Sequence, residues 1–186
     1  MDAPMTATGR RGLRSEHTRA IKIVKSCTIN RSQEELYRFW RQLENLPDFS
    51  RHLISVRQTS ATESHWIVKS PAGTTSEWDA MIIHEKPYEV IAWESLPGSE
   101  IDNAGSVRFA PAPGGQGTEL TVKLEYIPPV GRLGALVAKI YGEEPNIQVE
   151  DDLLRFKALM EAGEIPSIEG QPHGPTLREH KKRRVE

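Results

Sequence analysis

The sequence is poor in the features that mark several large classes of protein. It has a single cysteine, Cys27, so no internal disulfide can form, and a reducing compartment fits such a chain best. No run of about 18 apolar residues is present, which argues against a membrane-spanning helix. The N-terminal residues lack the apolar stretch of a secretory signal, and we therefore expect the protein in the cytoplasm.

An excess of charge of one sign is also lacking. The chain has 24 Lys and Arg against 26 Asp and Glu, a formal net charge of −2. This balance gives no overall attraction for nucleic acid, and it leaves only a peripheral contact with a membrane surface open. The six histidines do not approach the spacing of metal ligands, so we expect no metal and no cofactor.

Motifs of nucleophilic catalysis and phosphate binding are absent as well. No Gly-x-Ser-x-Gly element occurs, and Cys27 has no supporting context. The stretch GGQGTE has several glycines, but no lysine follows it and it lies between two strand-like segments. It is typical of a hairpin turn and not of a phosphate-binding loop.

What remains is a chain of 186 residues, enough for one domain with tails. Residues 1–19 are small, polar and mildly basic, and we expect a flexible arm there. Residues 164–186 are rich in proline and glycine and end in a basic run, which predicts a surface tail. The folded domain is therefore expected at residues 20–163.

The first half of this domain begins with a strand and two short helices. Alternation of apolar and polar residues predicts a strand over Ile21–Ile29. Ser32 followed by Glu35 has the spacing of a capping box, so a helix should begin there. Pro47 interrupts the helical pattern, and a second short helical turn that contains Phe49 and Leu53 is predicted after it.

The segment from Ile54 to Ile127 has the period of two that is typical of strands. Turn-forming residues divide it into runs that fit six strands. Large apolar residues recur on one face, which is therefore the face that should be buried. The alternating positions are Trp66, Val68, Trp78, Ala80, Ile82, Ile91, Trp93, Val107, Phe109, Leu120, Val122, Leu124 and Tyr126.

The rest of the domain returns to the helical period. It does so first at residues 133–140 and then from Val149 to Met160, where Pro145 suits the beginning and Gly163 the end. This long helix is the only element able to cover the apolar face of a seven-stranded sheet. The sequence predicts an α+β fold with a seven-stranded sheet. Two short helices should follow the first strand, and the long C-terminal helix should cover the apolar face.

Four stretches resemble one protein family: FWRQLENLPDF, SEWDAMIIHEKPYEVIAWESLPG, GSVRFAPAPGGQGTELTVKLEYIPPVGRLG and VEDDLLRFKALMEAGEIPSIEGQP. They are similar to the polyketide cyclase/dehydrase and lipid-transport family of the START-like, helix-grip (SRPBCC) superfamily, and especially to a bacterial cyclase/dehydrase-like branch. The resemblance implies a helix-grip fold, in which a seven-stranded, curved, antiparallel sheet carries the long C-terminal helix over its concave face. The two enclose a cavity, which the wider superfamily uses for lipids, quinones, sterols or aromatic polyketides. It carries over no catalytic residues.

The aromatic residues of the apolar face form the candidate ligand site. Their rings could hold a planar ligand between them, and the last helix would close the cavity. Simple filling of the core by the same side chains is the alternative. The predicted ligand-binding residues are Trp66, Trp78, Ile82, Trp93, Phe109, Tyr126, Leu153 and Phe156.

Two residues are candidates for chemistry in this cavity. His84 follows Ile82 in the alternation, so it could transfer a proton at the cavity mouth. The Tyr126 hydroxyl could orient a polar ligand atom. The alternatives are an exposed, inert histidine and a tyrosine bonded to the backbone. Glu77 and Asp79 have the opposite phase and are expected on the solvent-facing side.

Three functions remain open. The favoured one is binding of an apolar or aromatic small molecule (a lipid, a quinone or a polyketide-like compound) as a carrier, store or sensor. An aromatase/cyclase-like enzyme is an alternative, because a shaped cavity promotes cyclisation by proximity with few catalytic groups. The third is a protein-interaction module with a vestigial cavity. The sequence pattern does not indicate the oligomeric state.

Overall fold

The structure is a computed structural model, and it describes residues 21–69, 73–99, 101–127 and 145–164. The predicted N-terminal arm, the C-terminal tail and the first helical piece at residues 133–140 lie outside the described residues. The domain boundaries drawn from the sequence therefore stay predictions.

The seven predicted strands form one antiparallel sheet that curls into a half-barrel. The order is β1-β7-β6-β5-β4-β3-β2, so the first and last strands pair with each other and the others form a meander. The bounds are β1 Ile21–Ile29, β2 Leu53–Gln58, β3 Glu63–Lys69, β4 Thr75–Lys86, β5 Val90–Ser95, β6 Asp102–Pro111 and β7 Thr118–Ile127. The predicted fold class is confirmed.

Two short helical elements connect β1 with β2: α1 (Gln33–Arg41) and a 3-10 helix, η1 (Leu43–Asp48). The capping box at the start of α1 is present as predicted, with the Ser32 hydroxyl and the Glu35 carboxylate each bonded to the other's backbone N–H. The second helical turn was expected after Pro47 with Phe49 and Leu53, and this is wrong, because η1 contains that proline and Leu53 begins β2. A 3-10 turn accepts proline since its φ is close to the value that the ring imposes.

The long helix α2 (Pro145–Ala162) lies against β1 and ends as predicted. Gly163 follows it with a φ of +77°, and its N–H donates to the Leu159 carbonyl at 2.9 Å. Arg31, just after β1, fixes this end, since its Nε donates to the Met160 carbonyl at 2.8 Å. These bonds satisfy carbonyls that a helix end otherwise leaves without partners.

The core lies between the concave face of the sheet and the three helical elements. Its side chains come from every strand and from α1, η1 and α2. The convex face carries the polar residues, as the alternation predicted, and there His65 Nδ1 lies 2.8 Å from Asp79 Oδ1. Neither α1 nor α2, the α-helices of the described residues, is long and apolar enough to cross a membrane.

Candidate ligand-binding cavity

A cavity of about 140 Å³ lies between the concave sheet, η1 and α2. The sheet contributes apolar side chains of β2, β3, β4, β5 and β7, and α2 closes the opposite side with Val149 and Leu153. Trp40 of α1 and Leu46 and Phe49 at η1 complete the apolar wall. The cavity therefore lies where the helix-grip arrangement was expected to leave one.

Three tryptophans form the aromatic part of the sheet wall. Trp66 on β3 pairs across the strands with Trp78 on β4, and their ring centroids are 6.0 Å apart at an interplanar angle of 13°. Trp66 is also nearly parallel to Trp93 of β5, with centroids 6.4 Å apart and an angle of 16°. Such near-parallel rings present flat apolar surfaces of the kind that aromatic ligands contact.

A glycine on the neighbouring strand sets the position of the Trp93 ring. Gly105 of β6 is the cross-strand partner of Trp93. A Cβ atom at Gly105 would lie 2.7 Å from Trp93 Cε2 and 2.9 Å from Leu124 Cδ2, closer than real Cβ contacts allow. The indole therefore rests against the β6 backbone because residue 105 has no side chain.

Behind the cavity wall, Phe156 of α2 holds the helical elements together. Its side chain is fully buried, and its ring centroid lies 5.2 Å from that of Trp40 and 4.8 Å from that of Phe49. Phe156 itself is not part of the cavity wall. It supports the site by fixing two wall residues against α2.

Apart from Asn103 of β6, the polar residues of the cavity wall gather at one side, where the segment between η1 and β2 meets α2. Ser50, His52, Gln148 and Asp152 all line the cavity and keep some solvent exposure. The Ser50 hydroxyl donates to Asp152 Oδ2 at 2.7 Å, and the Arg51 N–H donates to Oδ1 at 3.3 Å. Burial raises the pKa of Asp152, although these hydrogen bonds and the nearby His52 partly offset the effect.

The structure brings half of the predicted ligand residues together. Trp66, Trp78, Trp93 and Leu153 line the cavity. Ile82, Phe109 and Phe156 are buried in the core but lie outside the cavity wall. The backbone of Tyr126 pairs with Ile21, and its side chain lies outside what the structure describes. Whether any of these residues binds a ligand stays a prediction.

The predicted position of His84 is wrong. The pairing of β4 with β5 shifts between Ile82, which faces Trp93, and His84, which faces Ala92, so one extra residue forms a β-bulge. Beyond the bulge the alternation changes phase, and His84 is exposed while Glu85 turns inward. Glu85 Oε1 accepts hydrogen bonds from Tyr37 Oη and from Arg41 Nε, so it anchors α1.

The polar residues of the cavity were not predicted from the sequence, although one signal was present. Gln148 and Asp152 have the i, i+4 spacing of one helix face, next to the apolar positions Val149 and Leu153. Polar residues beside an apolar stripe could have been proposed as ligand contacts. Ser50 and His52 gave no such signal, because they follow η1 in a segment without periodicity.

Cys27 is part of β1 and lies between the sheet and α2. Burial raises the pKa of its thiol to about 11, although Lys157 acts in the opposite direction. Its Sγ approaches the Leu153 carbonyl at 3.9 Å. A thiol with a raised pKa is a poor nucleophile at neutral pH.

The sheet and α2, with the cavity between them, have the START-like, helix-grip fold. Residues 29–154 match the family model described as polyketide cyclase/dehydrase and lipid transport, and the match spans more than half of the chain. The chain therefore belongs to the polyketide cyclase/dehydrase and lipid-transport family. The resemblance seen in the sequence is confirmed at this level.

Two solved structures resemble this chain. The crystal structure of DR_A0006 from Deinococcus radiodurans is 39% identical, covers 77% of this chain and 98% of that one, and has a TM-score of 0.65. The match with the Zhui aromatase/cyclase from Streptomyces sp. R1128 covers 79% of this chain and 100% of that one, with a TM-score of 0.58. At 11% identity this match shows the fold alone.

An uncharacterized 17.2 kDa protein of Streptomyces lincolnensis is 32% identical over 88 residues. These residues are 47% of this chain and 57% of that protein, so the chain spans little more than half of this curated relative.

Proposed function

We propose that the protein binds an apolar or aromatic small molecule in this cavity and acts as its carrier, store or sensor. The observation that carries the proposal is a volume of about 140 Å³ whose wall contains all four tryptophans of the chain. Protein interiors are otherwise packed with few voids larger than a water molecule. A space of this size among aromatic rings has the character of a small-molecule site.

The polar side of the cavity is the proposed entrance. Ser50, His52 and Gln148 keep some exposure, whereas Trp66 and Trp78 on the sheet side are each only 7% exposed. An apolar ligand would lose its water shell as it passes from the polar rim to the indole wall, and this loss drives binding. The polar rim keeps the empty site compatible with water.

The test is to isolate the protein from its native host and analyse the organic extract by mass spectrometry. A cavity-filling variant, Val149→Phe, serves as the comparison, because Val149 lines the cavity and is 9% exposed. The matched control is Leu154→Phe on the same helix, where the side chain is 55% exposed and does not line the cavity. Circular dichroism and thermal melting establish that all three proteins are folded.

We expect one apolar compound to accompany the unmodified protein and the Leu154→Phe variant, and to be missing from Val149→Phe. The same compound in equal amount in the Val149→Phe extract would place binding elsewhere and contradict the proposal. Empty extracts from all three folded proteins would contradict it as well, if added single-ring and lipid probes also fail to bind.

A second function, cyclisation or dehydration of a polyketone held in the cavity, is favoured by the polar side of the wall. Asp152 and His52 both line the cavity, and burial raises the pKa of Asp152. A carboxyl group with a raised pKa next to an apolar space is suited to moving protons in enolisation and loss of water. His84 is not available for this role from its exposed position.

This second function predicts a separation of turnover from binding. With a poly-β-ketone thioester as substrate, Asp152→Asn should lower turnover by about a hundredfold, the usual scale of a lost general acid or base. Asp151→Asn is the matched control, since Asp151 precedes it on α2 and does not line the cavity. Equal turnover by both variants would eliminate Asp152 from the chemistry.

A further inference from the structure

Two polar atoms in the cavity wall have no hydrogen-bond partner. Within the described ranges, Trp78 Nε1 and Gln148 Oε1 are the buried side-chain nitrogen and oxygen atoms that remain unpaired. Both residues line the same cavity, from opposite sides, since Trp78 belongs to β4 and Gln148 to the first turns of α2. The unpaired donor and the unpaired acceptor therefore share one space.

The neighbouring indole shows that this fold is able to satisfy a buried N–H group. Trp66 Nε1 donates to the Ser64 hydroxyl at 2.8 Å, in buried surroundings. Trp78, its cross-strand partner, has no such acceptor. Because a buried polar group without a partner costs about 1–3 kcal/mol, most such groups in proteins are paired. Two exceptions in one cavity point to a partner that enters from outside.

Water is a poor partner for the Trp78 N–H, which belongs to the sheet side of the cavity. A bound water needs two to four polar neighbours, and a volume of about 140 Å³ would hold several molecules. On the sheet side the wall offers mainly indole and aliphatic surface. Apolar cavities of about 150 Å³ are known to stay dry and to accept a molecule of the size of benzene. A ligand that fills the space and brings its own polar group suits this wall better.

The volume also limits the ligand. A cavity of about 140 Å³ matches one six-membered ring, whereas a fused polycyclic compound requires more room. The near-parallel indoles of Trp66 and Trp78 favour a flat ring. The polar group must accept from the N–H of Trp78 and donate to the amide oxygen of Gln148. A phenolic hydroxyl does both, since it has one proton and two lone pairs.

We propose that the cavity selects a single-ring phenol, with the ligand hydroxyl recognised by Trp78 Nε1 and Gln148 Oε1. This inference rests on the proposed binding function and specifies its ligand class. It assigns to Trp78 and Gln148 the choice between phenols and hydrocarbons of the same shape. The remaining aromatic wall contributes affinity for the ring without distinguishing the two.

Calorimetric titration of the purified full chain with phenol and with toluene tests the proposal. The two probes have nearly the same shape, and only phenol has a hydroxyl, so the ratio of their affinities isolates the polar recognition. Trp78→Phe removes the N–H and keeps an aromatic ring. Gln148→Met removes the amide and keeps the length of the side chain. Either change should lower the ratio of the phenol affinity to the toluene affinity about tenfold, the usual loss of affinity for one hydrogen bond.

Two comparison variants separate this effect from general damage to the site. Trp66→Phe changes the wall but removes no free donor, so it should alter both affinities together and leave their ratio within about twofold. Leu154→Met changes an exposed position of α2, and both affinities should equal those of the unmodified protein. If Trp78→Phe does not fold, Gln148→Met carries the test, because its side chain is only partly buried.

The outcomes distinguish this inference from the proposed function. If phenol and toluene both bind and the ratio is the same in Trp78→Phe, Gln148→Met and the unmodified protein, the phenol assignment is overturned while binding of apolar molecules stands. If neither probe binds, the phenol assignment fails, and the proposed function fails with it only if the native extract is empty and lipid probes do not bind either. Tighter binding of 2-naphthol than of phenol would overturn the limit to a single ring.

Discussion

Adding one methyl group at Gly105 should disturb the cavity wall more than its size suggests. A glycine inside a strand is usually about 0.5–1 kcal/mol less favourable than alanine, so Gly105→Ala in open space would stabilise the protein. Here the new Cβ would lie 2.7 Å from Trp93 Cε2 and 2.9 Å from Leu124 Cδ2. The indole has to move, and we expect a net loss of about 2 kcal/mol, within the range of overpacked cores.

Thermal unfolding followed by circular dichroism measures this loss. For a chain of this length, about 2 kcal/mol corresponds to a fall in Tm of roughly 4–8 °C. The control is the same change in a Trp93→Leu background, where the crowding indole is gone and the end of Leu124 can rotate away. There the cost of Gly105→Ala should fall to within about 0.5 kcal/mol of zero.

Two results would refute this reasoning. Gly105→Ala protein as stable as the unmodified protein would mean that the indole does not rest against the β6 backbone. An equal loss of stability with and without Trp93 would place the crowding elsewhere. A loss that disappears only in the Trp93→Leu background identifies the indole as the cause.

Three further predictions concern the elements that hold the cavity. Phe156→Ala should lower the free energy of unfolding in urea by about 3–5 kcal/mol, whereas Leu154→Ala on the exposed face of α2 should change it by no more than about 0.5 kcal/mol. Equal losses in the two variants would contradict the role of Phe156. Ser32→Ala should cost about 1 kcal/mol, and Ser32→Asn, which keeps a cap, should recover most of it. The raised pKa of Cys27 means that the folded state favours the neutral thiol over the thiolate. This contribution to the stability of the folded protein is present below pH 9 and is lost as the pH rises toward about 11. Alkylation of the native protein by iodoacetamide should therefore have a midpoint near pH 11, and a midpoint near pH 9 would mean an exposed thiol.

The elements that local patterns determine were predictable from the sequence. The period of two located the seven strands, and the spacing of Ser32 and Glu35 located the start of α1. Pro145 and Gly163 marked the limits of α2 for reasons that involve only the backbone of neighbouring residues. In each case the physical cause lies within a few residues along the chain, and the sequence displays it directly.

The cavity was predictable only in part, because its geometry depends on contacts between distant segments. Alternation along β4 placed Trp78 correctly but not His84, since a bulge depends on the pairing with β5. Asp152 lines the cavity together with Ser50, which is far away in the sequence. The unpaired state of Trp78 Nε1 is a property of the assembled core that no pattern in the sequence expresses.

Because the tryptophans cluster around the cavity, the intrinsic fluorescence and circular dichroism of the protein report on that site. All four, Trp40, Trp66, Trp78 and Trp93, line one cavity, so all indole emission of the folded chain comes from its wall. The near-parallel rings of Trp66 and Trp78, 6.0 Å apart, are close enough to couple electronically and to give a paired signal in circular dichroism. A molecule that enters the cavity changes the surroundings of every indole at once. Occupancy can thus be read from the unlabelled protein through both its emission and its circular dichroism.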